Sequence, residues 1–108
     1  MPNPGDLIVT TMPGAVQGKR RPGVVLSSRS YHNQRPDVIV GLVTTNTAAA
    51  SATTDHILLD WQQAGLTKPS AYRTYLSTVA SADCYVIGRL SARDWQAVQT
   101  AARLALEI

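Results

Sequence analysis

Apolar positions recur along this chain in short runs of β length for most of its course, and at helical spacing only near its end. "DLIVTT" (6–11) reads as a first strand after the turn-forming "PNPG", and "GVVLSS" (23–28) as a second, with Pro22 opening it where a missing N–H costs least. "DVIVGLVTTN" (37–46) is apolar on both faces as far as Thr44, the mark of a strand at the centre of a sheet. Gly41 within it signals a bend or a close backbone approach. "DHILL" (55–59), "SAYRTYLSTV" (70–79) and the region of "CYVIG" (84–88) supply three more strands. On 70–79, Arg73 and Tyr75 share one face, while Tyr72, Thr74 and Leu76 share the other.

The second half also carries the helical signals. In "DWQQAG" (60–65) Asp60 is placed to cap and Gly65 to take the left-handed position, predicting a helix of one to two turns. "SARD" puts Ser91 at an N-cap with Asp94 three residues on, an Asp version of the capping box. Trp95, Val98, Ala102 and Leu106 then recur at helical spacing, so a terminal helix lays one stripe on the sheet. "SRSYHNQRP" (28–36) reads as a polar connection and "NTAAASATT" (46–54) as a mobile small-residue loop. The predicted fold is mainly β: a small, strongly bent antiparallel barrel with one C-terminal helix. With 108 residues, it is expected to be a single domain over 1–108.

Composition changes this picture little: 44% apolar and 16% charged residues describe a globular chain. No apolar run approaches the ~20 residues of a membrane helix, and "MPNPGDLIV" lacks a signal-like block, so a cytoplasmic location without membrane contact is expected. The single cysteine, Cys84, excludes an internal disulfide and reads as a small core residue.

Charge distribution is more informative than the net charge of +3. Between Leu7 and Pro36 there is no acid, while Lys19, Arg20, Arg21, Arg29 and Arg35 fall there, so one pole of the fold should attract polyanions. Three of these cations stand together in "GKRRP", on the hairpin-like loop "MPGAVQGKRR" (12–21). Pairing of Arg21 with Asp6 or Asp37 at the barrel rim would explain one of them more simply than three. The loop is not a phosphate-binding P-loop: only three residues separate Gly14 from Gly18, and Arg20 stands where Ser or Thr should follow the Lys. His32 and His56 are the only histidines and have no acid at metal-ligand spacing, so neither a metal nor another cofactor is expected. No GxSxG elbow is present.

The ordered set "GD", "RRP", "VTT", "KPS.YR" and "IGRLS", within "GDLIVTTMPGAVQGKRRPGVVLSS", "DVIVGLVTT", "DWQQAGLTKPSAYRTYLST" and "VIGRLSARDWQAV", resembles the signature blocks of MazF/PemK-type toxins of toxin-antitoxin systems and spans nearly the whole chain. The resemblance implies a CcdB/PemK-type, SH3-like barrel, which agrees with the strand pattern. It further implies a homodimer that cuts single-stranded RNA without metal or ribosome and is neutralised by an antitoxin, the latter through an acidic, partly disordered segment.

By the same resemblance, Arg21 before the proline and Thr44 at the end of the central strand match the family's catalytic pair. Lys19, Arg20, Thr45 and Asn46 would hold the substrate beside them, and Arg73 matches a third position facing the same groove. Attack of a 2'-hydroxyl on its phosphate concentrates negative charge on a pentavalent centre, and guanidinium forks suit that charge. An Arg is a poor base because its pKa exceeds about 12, so Arg21 is assigned to charge rather than proton transfer. Tyr75 stands where some relatives have an Asp, so that carboxylate's proton-transfer role is not available; Tyr75 is expected to stack a base or wall the groove. His32 has a suitable pKa for proton transfer if the fold brings it near. Two other classes fit the same barrel: a non-enzymatic RNA- or peptide-binding module, and a CcdB-like gyrase poison. The ending "RLALEI" lacks the Trp-Gly-Ile type terminus of those poisons.

Overall fold

In the computed structural model, residues 2–12 and 19–108 are described. Six strands form one antiparallel sheet: β1 (Asp6–Thr11), β2 (Arg20–Val25), β3 (Asp37–Thr44), β4 (Asp55–Ile57), β5 (Ala71–Ala80) and β6 (Tyr85–Arg89), in the order β4-β5-β3-β2-β1-β6. A short helix, α1 (Arg29–His32), joins β2 to β3, and a long one, α2 (Ala92–Leu106), ends the chain. The mainly-β architecture with a C-terminal helix is as the strand pattern predicts.

Both faces of the sheet are covered, because successive residues of its inner strands point to opposite sides. On β1 Leu7 enters one core and Ile8 the other; on β2 Val24 and Val25 divide in the same way. The first core holds Leu7, Val24, Val43, Tyr72 and Leu90 against Val98 and Ala101 of α2, with Trp61 and Trp95 packed on it. The second gathers Ile8, Met12, Val25, Val38, Val40 and Val79. Gly41 is where the predicted close approach occurs, since a Cβ there would strike the ring of Tyr72. The outer ends of the sheet also meet. Gly65, with a φ of +96°, abuts the Ile87 carbonyl, and a Cβ on Gly88 would strike the carbonyl of Ala64. The sheet is therefore curled until the turn after β4 closes on β6, with glycine on both sides of the seam.

Several local expectations change. β2 begins at Arg20 rather than at residue 23, so Arg20 and Arg21 are strand residues and Pro22 lies inside the strand. Pro22 is tolerated because β2 is paired there with β1 alone, its ladder to β3 starting at Gly23. The connection 28–36 contains α1, capped by the Ser28 hydroxyl accepting from the Tyr31 N–H. The loop 46–54 contains a 3-10 turn at Thr47–Ala49. β4 stops at Ile57, and 60–65 is a hydrogen-bonded turn instead of a helix. Gly65 does take the left-handed position, but Asp60 caps nothing: its carboxylate accepts from Ser91 Oγ at 2.6 Å and from both Nε and Nη2 of Arg93. Most of the loop 12–21, Gly14 and Gly18 included, lies outside the described residues.

Ser91 caps α2 as expected, accepting from the Asp94 N–H at 3.3 Å. Asp94 does not complete the capping box. Fully buried, its carboxylate accepts from His56 Nε2 at 2.8 Å, from the Leu59 N–H at 3.0 Å and from the Asp60 N–H at 2.8 Å. These bonds tie the first turn of α2 to the short edge strand β4. Burial alone would push the Asp94 carboxyl up, but the hydrogen bonds from Leu59, His56 and Asp60 outweigh it and hold the pKa below the ordinary value.

Candidate functional site

Strand register decides which of the sequence-selected residues meet. Thr44, the last residue of β3, pairs with Ala71 of β5. On the other side the β2–β3 ladder ends with Gly23 opposite Leu42, so Arg21 and Thr44 each stand two residues beyond it at the same end of the two strands. Side chains two apart share a face, so Arg21 lies on the face of Gly23 and Val25, Thr44 on that of Leu42, and Arg73 and Tyr75 on that of Ala71. For Arg21 and Thr44 this is the face of the second core, while the β3–β5 register shifts between Gly41 and Val43, opposite Arg73 and Tyr75. In the order β5-β3-β2, Thr44 stands between Arg73 and Arg21.

The chemistry of each group follows from its contacts. Thr44 Oγ1 accepts the Asn46 N–H at 3.1 Å, an ST-turn that fixes the hydroxyl oxygen and leaves its hydrogen to donate outward. That bond also explains why Thr45 and Asn46 stay beside Thr44; both are exposed. Arg21 is half-buried and makes no hydrogen bond or ion pair among the described residues. The two acids that might have held it are engaged elsewhere: Asp6 accepts from the Asn3 N–H, and Asp37 from Arg35 and the Tyr31 hydroxyl. Arg73 is half-buried, and its Nε is a buried donor with no partner among the described residues. Its cross-strand neighbour Asp55 forms no ion pair with it among the described residues, accepting instead from the Ala52 N–H. A buried donor left unpaired costs about 1–3 kcal/mol, a penalty that an anion between Arg73 and Thr44 would remove. Arg20 runs along the strand edge, donating from Nη2 to the Val9 carbonyl at 3.0 Å, and Lys19 is exposed just before β2.

His32 is not part of this group. It lies past the far end of β2, beyond Ser27 and eleven residues along the chain from Arg21. Its Nε2 is bonded to Ser27 Oγ, and burial, followed by the charge of Arg29, lowers its pKa from the ordinary value. The native state thus takes up this proton less readily than the unfolded chain. Its contribution to stability is complete above about pH 6.5 and falls as pH drops toward the folded-state pKa. Thermal melts between pH 7.5 and 5.5 should show a decline in Tm that is flattened in His32→Gln; an equal slope in both proteins would refute the assignment.

The link from His56 to Asp94 escapes sequence reading, because 38 residues separate the pair and an Asp three residues after a capping Ser has a sufficient local role. Cys84 is half-buried, and burial raises its thiol pKa, as befits a packing residue rather than a nucleophile. Among the described residues no helix is long and apolar enough to cross a membrane.

The family model for PemK-like, MazF-like toxins of type II toxin-antitoxin systems matches residues 3–106. No curated protein matches the sequence. Among solved structures, an endoribonuclease in complex with its cognate antitoxin from a mycobacterial species superposes with a TM-score of 0.81 at 14% identity, covering 100% of this chain and 97% of that one. The Mycobacterium tuberculosis toxin MazF-mt6 gives 0.75 at 21% identity over 95% and 97%. A MazE-MazF crystal structure from Deinococcus radiodurans gives 0.74 at 16% over 99% and 96%.

Proposed function

Because the chain belongs to the PemK-like, MazF-like toxin family of type II toxin-antitoxin systems, we propose that it is a metal-independent endoribonuclease that cuts single-stranded RNA at selected sequences. The observation that supports this best is the row Arg73, Thr44, Arg21 on one face, with an unpaired buried guanidinium donor at one end. In the proposed reaction the 2'-oxygen bonds to phosphorus as its proton leaves, and the bond to the 5'-oxygen breaks as that oxygen gains a proton. The products are a 2',3'-cyclic phosphate and a 5'-hydroxyl end. Arg21 offers a two-pronged fork to the oxygens that gain charge, and the Thr44 hydroxyl donates to the same phosphate. Arg73 holds the phosphate from the opposite side, while Lys19, Arg20, Thr45 and Asn46 hold its neighbours.

The toxin acts as a homodimer in the cytoplasm and is silenced by an antitoxin whose acidic, partly disordered segment covers this basic face. The test is cleavage of a long single-stranded RNA in excess EDTA. Discrete cuts leaving 5'-hydroxyl ends are expected. RNA that is bound but stays intact would replace the nuclease with a binding module.

A further inference from the structure

A cavity of about 640 Å³ opens one strand beyond Arg21, bordered by Thr10, Arg20, Thr78, Asp83 and Tyr85. Its volume falls within the range of about 300–1,000 Å³ typical of small-ligand sites. Thr10 stands directly opposite Arg21 in the β1–β2 ladder and therefore on the same face. Arg21, placed at the reacting phosphate, thus stands about 5 Å from the strand that borders the cavity, and the rim residue Tyr85 pairs with Val9 of that strand. A base attached beside that phosphate reaches such a pocket when it swings out of the stack.

The groups at the cavity point to a base rather than to another phosphate. The Thr10 hydroxyl is committed to the Asp83 carbonyl at 3.1 Å, which fixes the short 3-10 turn carrying Asp83. The Asp83 carboxylate has no hydrogen-bond or ion-pair partner among the described residues, and a carboxylate repels a phosphate while accepting from N–H groups. Tyr85 leaves a large aromatic ring 68% exposed at the rim, where it can stack. Arg20, already anchored on the Val9 carbonyl, keeps further N–H groups for the backbone of the same nucleotide.

Resting on the reading of the chain as a ribonuclease, we propose that this cavity is a specificity pocket. It seats a nucleobase adjacent to the scissile phosphate, with Tyr85 stacking on the ring and Asp83 selecting bases that present amino hydrogens. Uracil, whose single imino N–H lies between two carbonyl oxygens, is disfavoured there.

The test uses full-length protein and a set of single-stranded RNA oligonucleotides in which each position flanking the cut is varied in turn. Both kcat/KM and binding anisotropy are measured. The native protein should discriminate against uracil at one flanking position, and Asp83→Asn should reduce that discrimination by about tenfold or more at that position only. Tyr85→Ala should weaken every base at the same position by about five- to a hundredfold. Gln96→Ala, on the exposed side of α2, controls for handling. Unchanged base preference in both Asp83→Asn and Tyr85→Ala overturns the pocket. If the native protein cuts nothing, the nuclease reading fails by itself, and the pocket then stands or falls on whether Asp83→Asn alters base preference in anisotropy.

Discussion

Replacing Arg21 by alanine is expected to slow RNA cleavage by about 10²–10³-fold, the usual cost of deleting one preorganised donor from a site where negative charge develops. The expectation is specific because Arg21 holds nothing else in place: among the described residues it has no ion pair or hydrogen bond, and the acids nearest in the sequence pattern are bound to other partners. The fold should therefore survive, with Tm within a few degrees of the native value. Arg21→Lys keeps the charge but loses the planar fork, and should recover only part of the rate. The assay is single-turnover cleavage with enzyme in excess, so that binding and chemistry separate. Cleavage by the alanine variant within threefold of native, at equal stability, would remove Arg21 from the reaction.

The largest stability effect is expected at Asp94. Its carboxylate is fully buried and satisfies three donors, so Asp94→Ala strands the His56 ring and two backbone N–H groups at once. Breaking a buried, multiply bonded carboxylate costs about 3–5 kcal/mol, and at about 4–8 °C per kcal/mol for a domain of this size the Tm should fall by at least ~12 °C. Asp94→Asn keeps the volume but turns an N–H toward a donor, and should fall in between. Ser91→Ala, which loses only a cap, should cost about 1 kcal/mol. The acid limb offers an independent check. Since the folded pKa of Asp94 lies below its unfolded value, its stabilisation is present above about pH 4 and lost as pH falls further, and Asp94→Asn should lack that part of the loss. A fall of less than ~3 °C in the alanine variant would show that the network is ornamental.

The contrast between these two residues marks what the chain reveals when read as text. Arg21 and Thr44 are legible because they stand at the ends of strongly patterned strands within an ordered set of motifs, and the pairing of β2 with β3 sets them on one face. The start of β2 is not legible in the sequence because Pro22 normally opens a strand, whereas here a one-sided ladder lets the strand begin at Arg20. The 60–65 helix was misread because a cap and a terminal glycine are also the ends of a single turn. Asp60 and Asp94 each had an adequate local role, and only packing of α2 against β4 gave them distant ones. His32 has a fitting pKa but the wrong address, which no local pattern encodes.

The pairing of β1 with β6 carries a consequence for how the molecule is made. Asp6 faces Arg89, so the first strand has no outer partner until residues 85–89 have left the ribosome. The same delay holds for β4, which waits for Asp94. A contact so distant in sequence is costly to close and comes late. Although its cationic face is encoded by residue 73, a growing or truncated chain that ends before residue 85 lacks both the closing strand and the acid that holds the edge. The chain is thereby kept from assembling its finished surface until β6 and the first turn of α2 have been made.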